Sequence, residues 1–455
     1  MSTQPANLLL AAVAIALYLT MCAGVWRGTL AKRRTLAHLG AHAGGGAQLL
    51  VVHAGQTGTA EGIAVQTADS LQAAGVAVVL RPLGQVDRAM LQSAAQVLFV
   101  VSTYGEGDPP DGATRFVSHV MRESAVDLSQ LQFGLLALGD RTYKNFCGFG
   151  RQFEEWLLQR GASALFPRID VDSGDTHAIQ AWRHELSHIA ATTDLPEWQD
   201  LPFAGWTLRA RRHLNPGSQG APVFHFEFQG PVTADWQAGD LLQVQIPADP
   251  DRPRDYSIAS VPGDGSLHLL VRVQQREDGS TGLASGWLTT LPVGATLQAR
   301  LRAHSQFRIG GNAARDLILI GNGTGLAGLR AHLRQRGLAE GGGAPRRRNW
   351  LLFGERQSAF DALYGEELER WLQSGLLQRL DRVYSRDGGA HRYVQECLRA
   401  EGARLQNWIE AGAAIYVCGS LEGMAEGVAQ VLREQLGDAQ VAVLQAEGRY
   451  MRDVY

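Results

Sequence analysis

Three loops in the first half of the chain combine glycines with hydroxyl or aromatic side chains, and the first has the composition of an anion site. It reads Gly55-Gln56-Thr57-Gly58-Thr59-Ala60-Glu61 and follows a short apolar run. Its glycines allow a tight turn in which backbone N–H groups and threonine hydroxyls face one anion, at the positive end of the next helix. This suits one phosphate monoester but not ATP, because the lysine of a Walker loop is missing. The alternative interpretation is an ordinary strand-to-helix turn with capping threonines.

The second and third loops each supply an aromatic ring. They are Ser102-Thr103-Tyr104-Gly105-Glu106-Gly107-Asp108-Pro109-Pro110 and Leu138-Gly139-Asp140-Arg141-Thr142-Tyr143. In a doubly wound sheet such loops meet at the carboxyl ends of the strands, where ligands bind. Tyr104 and Tyr143 are then expected to hold a flat heterocycle between them.

The elements that must position these loops alternate between strand and helix. Short buried runs separated by amphipathic or Ala-rich stretches predict a parallel sheet with helices on both faces. After the connector at Pro196 and Pro202 the period changes to two, which predicts antiparallel strands with one buried face. Near Leu317 the α/β pattern returns. The predicted parallel strands are Leu49–Val52, Val76–Leu80, Val97–Val101, Leu135–Leu138, Leu317–Ile320, Trp350–Phe353 and Ile415–Cys418, and the alternating apolar set is Phe224, Phe226, Phe228, Leu242, Val244, Ile246, Leu267, Leu269, Val271 and Val273.

The N-terminus predicts a membrane anchor. From Leu8 to Trp26 the sequence has 19 uncharged residues, which is close to the length that spans a hydrocarbon core. The basic residues Arg27, Lys32, Arg33 and Arg34 follow the run, so the remainder of the chain is expected in the cytoplasm, at the inner membrane if the protein is bacterial. A buried helix of the soluble body is the alternative.

The predicted fold is therefore α/β and β in several domains. An anchor covers residues 1–27 and a Gly-rich tether 28–47. A doubly wound parallel sheet covers 48–192, a linker 193–204, an antiparallel β-barrel 205–311, and a second α/β domain 312–455. The net charge of −3 lacks the basic surplus of a nucleic-acid-binding protein, and the four cysteines show no zinc-ligand spacing, so neither nucleic acid nor a metal is expected.

The first α/β segment resembles the flavodoxin family, and more closely the FMN domain of diflavin reductases. The resemblance implies that FMN phosphate binds Gln56–Thr59 and that the isoalloxazine lies between Tyr104 and Tyr143. Gly55 departs from the family, which often has a hydroxyl residue there. The FMN-binding residues implied are Gln56, Thr57, Gly58, Thr59, Ala60, Ser102, Thr103, Tyr104, Gly105, Gly107, Leu138, Gly139, Asp140, Tyr143 and Phe146.

The barrel and the last domain resemble the ferredoxin–NADP reductase part of the same family. Arg254-Asp255-Tyr256-Ser257 is similar to its RxYS motif, in which the arginine binds pyrophosphate and the tyrosine packs on FAD. Gly282-Leu283-Ala284-Ser285 is similar to the loop that closes on the FAD pyrophosphate. Gly321, Gly323, Thr324 and Gly325 are expected to face the NADP pyrophosphate, with Arg330 close behind them. Ser385, Arg386, Tyr393 and Gln395 resemble the pocket for the 2′-phosphate, which favours NADPH over NADH. A solvated surface charge is the alternative for Arg386.

The resemblance further implies a set of catalytic residues at the end of the chain. Ser257, Cys418 and Asp453 are expected to orient the nicotinamide and to stabilise developing charge, without covalent catalysis. Tyr455 resembles the terminal ring that covers FAD until nicotinamide displaces it. The alternative for Cys418 is a small buried hydrophobe.

Diflavin reductases of the sulfite reductase flavoprotein and NADPH–haemoprotein reductase type pass electrons from NADPH through FAD and FMN to a haem or iron–sulfur protein, and this is the expected activity. The stretch from Trp206 to Arg254 is too short for the helical connecting insert of full family members. Glu106, Asp108 and Asp111 either steer a basic acceptor or form a solvated rim. Two other functions remain open: a membrane-associated ferric or flavin reductase that serves metal uptake, and a non-catalytic flavin-binding assembly protein.

Overall fold

The computed structural model describes residues 48–123, 126–141, 143–173, 175–192, 195–196, 198, 202–276, 278–342 and 346–455, without the side chains of Asp251 and Glu422. The predicted anchor, the tether and most of the linker lie outside these residues. Among the helices of the described part, none is long and apolar enough to cross a membrane.

The first sheet is parallel and has the order β2-β1-β3-β4-β5, with β6 also paired to β4. Apolar side chains fill both of its faces: Val52 and Phe99 belong to one hydrophobic core, and Val51 and Leu98 to the other. Burial on both faces explains why these strands are continuous apolar runs. The strands are β1 (Leu49–Ala54), β2 (Val78–Pro82), β3 (Gln96–Ser102), β4 (Gln132–Gly139), β5 (Ser163–Ala164) and β6 (Ile169–Asp172).

The helices of this first part begin at local signals in the sequence. The carboxylate of Asp87 accepts from Met90 N at 2.8 Å and caps one helix, and Asp175 accepts from His177 N at 2.8 Å and caps another. A short π-helical turn, Val117–Met121, continues the helix that begins at Thr114. The α-helices are α1 (Thr59–Ala73), α2 (Arg88–Ser93), α3 (Thr114–Phe116), α4 (Gly148–Gln159) and α5 (Thr176–Ile189).

The second sheet is antiparallel, with the order β10-β9-β12-β7-β8-β11. It curls until a bridge between Ile258, just after β10, and Leu269, on β11, joins its two edges. Closure places Phe226, Phe228 and Val244 in a common core. The strands are β7 (Ala204–His213), β8 (Val223–Gln229), β9 (Leu241–Ile246), β10 (Asp249–Ser257), β11 (Leu267–Arg272) and β12 (Thr296–Arg302), and α6 (Leu283–Thr290) covers one end.

The third sheet is parallel, with the order β15-β14-β13-β16-β17. Alternate residues of β13 enter two cores, Ile318 on one face and Leu319 on the other. Its strands are β13 (Leu317–Asn322), β14 (Asn349–Glu355), β15 (Arg379–Tyr384), β16 (Ala414–Gly419) and β17 (Tyr450–Val454). Its helices are α7 (Leu326–Gly341), α8 (Gly365–Ser374), α9 (Val394–Ala400), α10 (Gly402–Glu410), α11 (Glu426–Leu436) and α12 (Asp438–Ala446).

The prediction of one buried barrel face was wrong for β8. His225, which alternates with the predicted apolar residues Phe224 and Phe226, is 4% exposed, because the third part of the chain packs on that face. A ring nitrogen of His225 lies 2.7 Å from the Tyr364 hydroxyl and the other lies 3.1 Å from Glu227 Oε1. The outer face of the barrel at β8 therefore forms a polar contact with the third part of the chain. Alternation within one strand does not reveal such a contact.

Candidate functional site

The phosphate-type loop joins β1 to α1 with the expected geometry. Gly58 has a left-handed φ of 76° and is the N-cap of α1, with no side-chain capping hydrogen bond. A residue without a side chain leaves the first-turn N–H groups to a ligand, at the positive end of the helix. The hydroxyls of Thr57 and Thr59 lie 3.3 Å apart beside this turn. The loop thus has the donor set and the polarity that a phosphate monoester requires.

The two aromatic loops converge beside this loop. Thr103 N donates to Leu138 O at 2.9 Å, which ties the loop after β3 to the end of β4. The Tyr143 side chain is 46% exposed, whereas burial raises the pKa of Tyr104 to about 12. The buried Tyr104 hydroxyl has no hydrogen-bond partner within the described residues. An exposed ring and an unsatisfied phenol fit a flat heterocycle that has polar edges.

The remaining predicted residues of this site support the loops. Ser102 Oγ would lie 3.2 Å from a Cβ at Gly55, so the two loops are in close contact. Gly107 has a φ of 120°, which a residue with a side chain rarely adopts. The Phe146 ring stacks under the guanidinium of Arg141, whose Cζ is 4.6 Å from the ring centroid. Phe146 therefore packs against a neighbour in its own loop.

In the barrel, the RxYS-like segment forms the end of β10. The Arg254 side chain is 41% exposed and lies 3.3 Å from Asp249 Oδ2, so it remains accessible to an anion. Burial raises the pKa of Tyr256 to about 12, which keeps this ring neutral. The second segment is tied down by Gly282 N, which donates to Gln274 O at 2.7 Å, and by Ser285 Oγ, which accepts from Gln274 N at 3.0 Å. Gly282, Leu283 and Ala284 thereby open α6 with their N–H groups at its positive end.

The Gly-rich turn after β13 packs tightly on β16. A Cβ at Gly325 would lie 2.0 Å from Cys418 O, and one at Gly321 would lie 2.7 Å from the same oxygen. Only glycine permits this approach. Gly323 has a φ of 56°, and Thr324 Oγ1 accepts a hydrogen bond from the Tyr455 hydroxyl at 3.1 Å. The turn and the C-terminus therefore lie side by side.

The residues predicted for the 2′-phosphate lie between β15 and α9 or, in the case of Gln395, in the first turn of α9. Arg386 is exposed and its N donates to Arg356 O at 2.8 Å. Ser385 N is held by Glu355 O at 2.9 Å, and the Tyr393 side chain is 47% exposed at the N-cap of α9. Gln395 instead donates to Gly423 O at 3.3 Å. Arg386 and Tyr393 are the members most open to a ligand.

Asp453 contacts the two other polar members of the predicted catalytic set, Ser257 and Cys418. Its Oδ2 accepts from Ser257 Oγ at 2.7 Å and from Cys418 Sγ at 3.6 Å, and its side chain is buried. Ser257 ends β10, Cys418 is in β16 and Asp453 is in β17, so the sheet ends of two domains meet here. Burial beside this carboxylate raises the pKa of the Cys418 thiol well above its usual value. The set can orient a ligand and stabilise positive charge, but it holds no thiolate nucleophile at neutral pH.

Arg330 is not brought to the glycine turn. Its side chain is buried, pairs with Glu367 at 2.6 Å and hydrogen-bonds Ala259 O in the barrel. A nitrogen of its guanidinium is 3.2 Å from His268 Nδ1. The hydrogen bonds of the Arg330 guanidinium are thus made within the protein. The spacing in the sequence did not reveal this.

One group of metal-ligand residue types occurs within the described part of the chain: His225, Glu227 and His268. Burial is the main cause that lowers the pKa of His225 to about 3 and that of His268 to about 4, so both rings are neutral at pH 7. His268 Nδ1 faces Arg330, and a cation there opposes a metal ion. These residues form a hydrogen-bonded contact between the barrel and the third part.

Sequence reasoning missed the residues that join the first part to the other two. Arg452 Nε donates to Asp111 Oδ2 at 2.7 Å, and Gln56 Nε2 donates to the same oxygen at 2.9 Å. Asp111, predicted in the acidic rim, is therefore paired internally, while Glu106 and Asp108 are exposed. Arg302 reaches Thr59 from β12. The sequence does not reveal either contact, because the partners lie hundreds of positions away.

Comparison with known proteins agrees with this arrangement. Residues 51–184 match the flavodoxin family, and residues 319–430 match the oxidoreductase NAD-binding domain. The chain belongs to the diflavin reductase family. Its relatives include the sulfite reductase [NADPH] flavoprotein alpha-components of Yersinia enterocolitica, 28% identical over 90% of each chain, Neisseria meningitidis, 27% over 89%, and Serratia proteamaculans, 27% over 90%.

Membership in this diflavin reductase family confirms the predicted class, an NADPH-dependent flavoprotein oxidoreductase, and its cofactors FMN, FAD and NADPH. The alignment with the Yersinia relative has 543 positions, more than the 455 residues of this chain. The relative therefore contains segments that this reductase lacks, in agreement with the short stretch between Trp206 and Arg254.

Proposed function

We propose that this diflavin reductase passes electrons from NADPH through FAD and FMN to a one-electron acceptor protein that contains haem or an iron–sulfur cluster. When bound, FAD takes two electrons as hydride, and FMN delivers them one at a time. The observation that carries the proposal is that Ser257 and Cys418 both donate to the Asp453 carboxylate, beside the terminal Tyr455. The relatives named sulfite reductase flavoprotein support an acceptor of the sulfite reductase type.

Each residue has a separate task in this proposal. Asp453, buried and negative, stabilises the positive charge that develops on a nicotinamide ring, and Ser257 fixes the orientation of its carboxylate. Tyr455, whose side chain is 59% exposed, covers the neighbouring flavin position until the nicotinamide enters. Arg386 and Tyr393 bind the 2′-phosphate. Tyr104 and Tyr143 hold the FMN ring, and the loop Gln56–Thr59 binds its phosphate.

We further propose that the protein is anchored in a membrane by the segment Leu8–Trp26, with its catalytic body in the cytoplasm. The support is the sequence alone: an uncharged apolar run followed by four basic residues within the next eight positions. Membrane fractionation tests this proposal. The full chain should stay in the pellet after a high-salt wash, and a variant that lacks residues 1–27 should be released; equal release of both contradicts the anchor.

An acceptor assay separates this function from ferric reduction. The purified chain, with FMN or selectively depleted of it, is supplied with NADPH and either a haem protein or an Fe(III) chelate. We expect haem-protein reduction to be fast and to vanish on FMN depletion. The control is FAD-dependent reduction of ferricyanide, which should survive depletion. Efficient Fe(III) reduction with no haem-protein reduction would favour the metal-uptake role.

A further inference from the structure

A segment of the barrel covers the phosphate loop of the first part. This cover segment, residues 302–306, begins at the last residue of β12. His304, fully buried, places Nε2 2.7 Å from Gln56 O, and a Cβ at Gly58 would lie 2.7 Å from Ala303 O. Ser305 Oγ donates to Glu61 at the start of α1. The barrel therefore contacts the loop and the N-terminal end of α1 directly, while Thr57 remains exposed.

Arg302 is the cation in this cover segment. Its Nη2 donates to Thr59 Oγ1, and its side chain is 20% exposed. Its Nη1 is held by Asp255 Oδ2 at 2.5 Å, and Asp255 Oδ1 accepts from Gln243 Nε2 at 2.9 Å. One edge of the guanidinium is thus fixed by the barrel, and the other edge faces the threonine hydroxyls of the loop.

The loop itself lacks a charged donor. Its hydroxyls belong to Thr57 and Thr59, and Gly55 stands where a further hydroxyl is usual in the family. Two carboxylates lie near Arg302: Asp255 occupies Nη1, and Glu61 is bound by Ser305. A phosphate dianion prefers a guanidinium to neutral donors alone, because charge-assisted hydrogen bonds are about twice as strong.

We infer that Arg302 is an FMN-binding residue that the barrel donates to the phosphate site of the flavodoxin-like domain. Asp255 is its positioning residue, and it stands between Arg254 and Tyr256 in the FAD motif. FMN retention is therefore linked to the packing of the barrel on the phosphate loop. The inference rests on the proposed assignment of FMN phosphate to Gln56–Thr59.

The test is the equilibrium binding of FMN to full-length variants. Release of FMN on dilution is followed by the recovery of its fluorescence, in wild type, Arg302→Gln and Arg302→Lys. Arg211→Gln is the matched control, because it removes a barrel arginine whose guanidinium bonds the backbone oxygens of Thr289 and Leu291, neither of which belongs to the cover segment or contacts Asp255 and Gln243. Riboflavin, which has no phosphate, is titrated in parallel, and bound FAD reports correct folding.

We expect Arg302→Gln to weaken FMN binding roughly tenfold or more and to reduce its salt dependence. Arg302→Lys should recover part of the affinity, Arg211→Gln should match wild type, and riboflavin affinity should not change in any variant. Unchanged FMN affinity in Arg302→Gln overturns the inference, and so does an equal loss of FMN and riboflavin. A wild-type chain with FAD but no FMN contradicts the proposed function itself.

Discussion

The ion pair between Arg452 and Asp111 should control how firmly the FMN domain docks on the rest of the reductase. Arg452→Gln removes a two-point contact from side chains that are 16% and 15% exposed. Breaking a buried pair costs about 3–5 kcal/mol, and an exposed pair contributes about 0–1 kcal/mol. Asp111 keeps its hydrogen bond to Gln56, so it is not left without a partner. We therefore expect a loss of about 1–2 kcal/mol, or roughly 5- to 30-fold in the docking equilibrium.

Small-angle X-ray scattering at low ionic strength measures the docked population, and stopped-flow absorbance measures electron transfer between the flavins. The variant should show a larger radius of gyration and slower transfer, while reduction of FAD by NADPH is unchanged, because Asp453 and Ser257 are intact. Added salt should shift wild type towards the variant. Arg168→Gln is the control, because Arg168 forms a similarly shielded pair with Glu154 within one domain. Identical scattering of Arg452→Gln and wild type at all salt concentrations would show that the Arg452–Asp111 pair does not control docking.

Three further predictions concern the donor site and stability. Asp453→Asn keeps an acceptor for Ser257 but removes the charge, so flavin reduction by NADPH should slow by roughly 5- to 30-fold with FAD content unchanged; an unaltered rate in stopped flow would rule out the electrostatic role. Arg386→Gln should raise the KM for NADPH roughly tenfold or more and leave the KM for NADH unaltered. An equal change in both KM values would mean that Arg386 does not bind the 2′-phosphate. The pKa values of His225 and His268, about 3 and about 4, lie below the usual 6.5, so the unfolded chain binds more protons between pH 4 and 6.5. The free energy of unfolding should therefore fall as the pH drops through that window, by up to about 1.4 kcal/mol per pH unit for each histidine. Denaturant titrations at several pH values should show that the unfolding free energy of His225→Gln depends less steeply on pH than that of wild type.

The sequence predicted the apolar parallel strands, such as β1, β3 and β13, because an uninterrupted apolar run is a local signal. It did not predict β5, β6, β15 and β17, which are short or contain charged residues such as Asp170 and Arg382. Predicted limits such as Val76–Leu80 became Val78–Pro82, a small shift that periodicity does not resolve. The loops after β1, β3 and β4 were found because their chemistry is local. Asp453 and Ser257 were grouped only through resemblance, since 196 positions separate them.

The contacts between domains were beyond the sequence. Arg330 looked like a cofactor ligand because it follows a glycine turn, but helix geometry points it at Glu367. The burial of His225 was not predicted, because strand alternation contains no information about what packs on the other face of the strand. Arg302 lies in a segment without a motif, and Arg452 adjoins the predicted Asp453, but each meets its partner, Thr59 or Asp111, only through the packing of whole domains.

The most direct test of the central claim is flavin extraction followed by anaerobic titration of the purified chain with NADPH. We expect FMN and FAD in equal amounts and complete bleaching by about two NADPH per chain, one for each flavin, with much poorer reduction by NADH. FAD without FMN, or flavins that NADPH does not reduce, would contradict it.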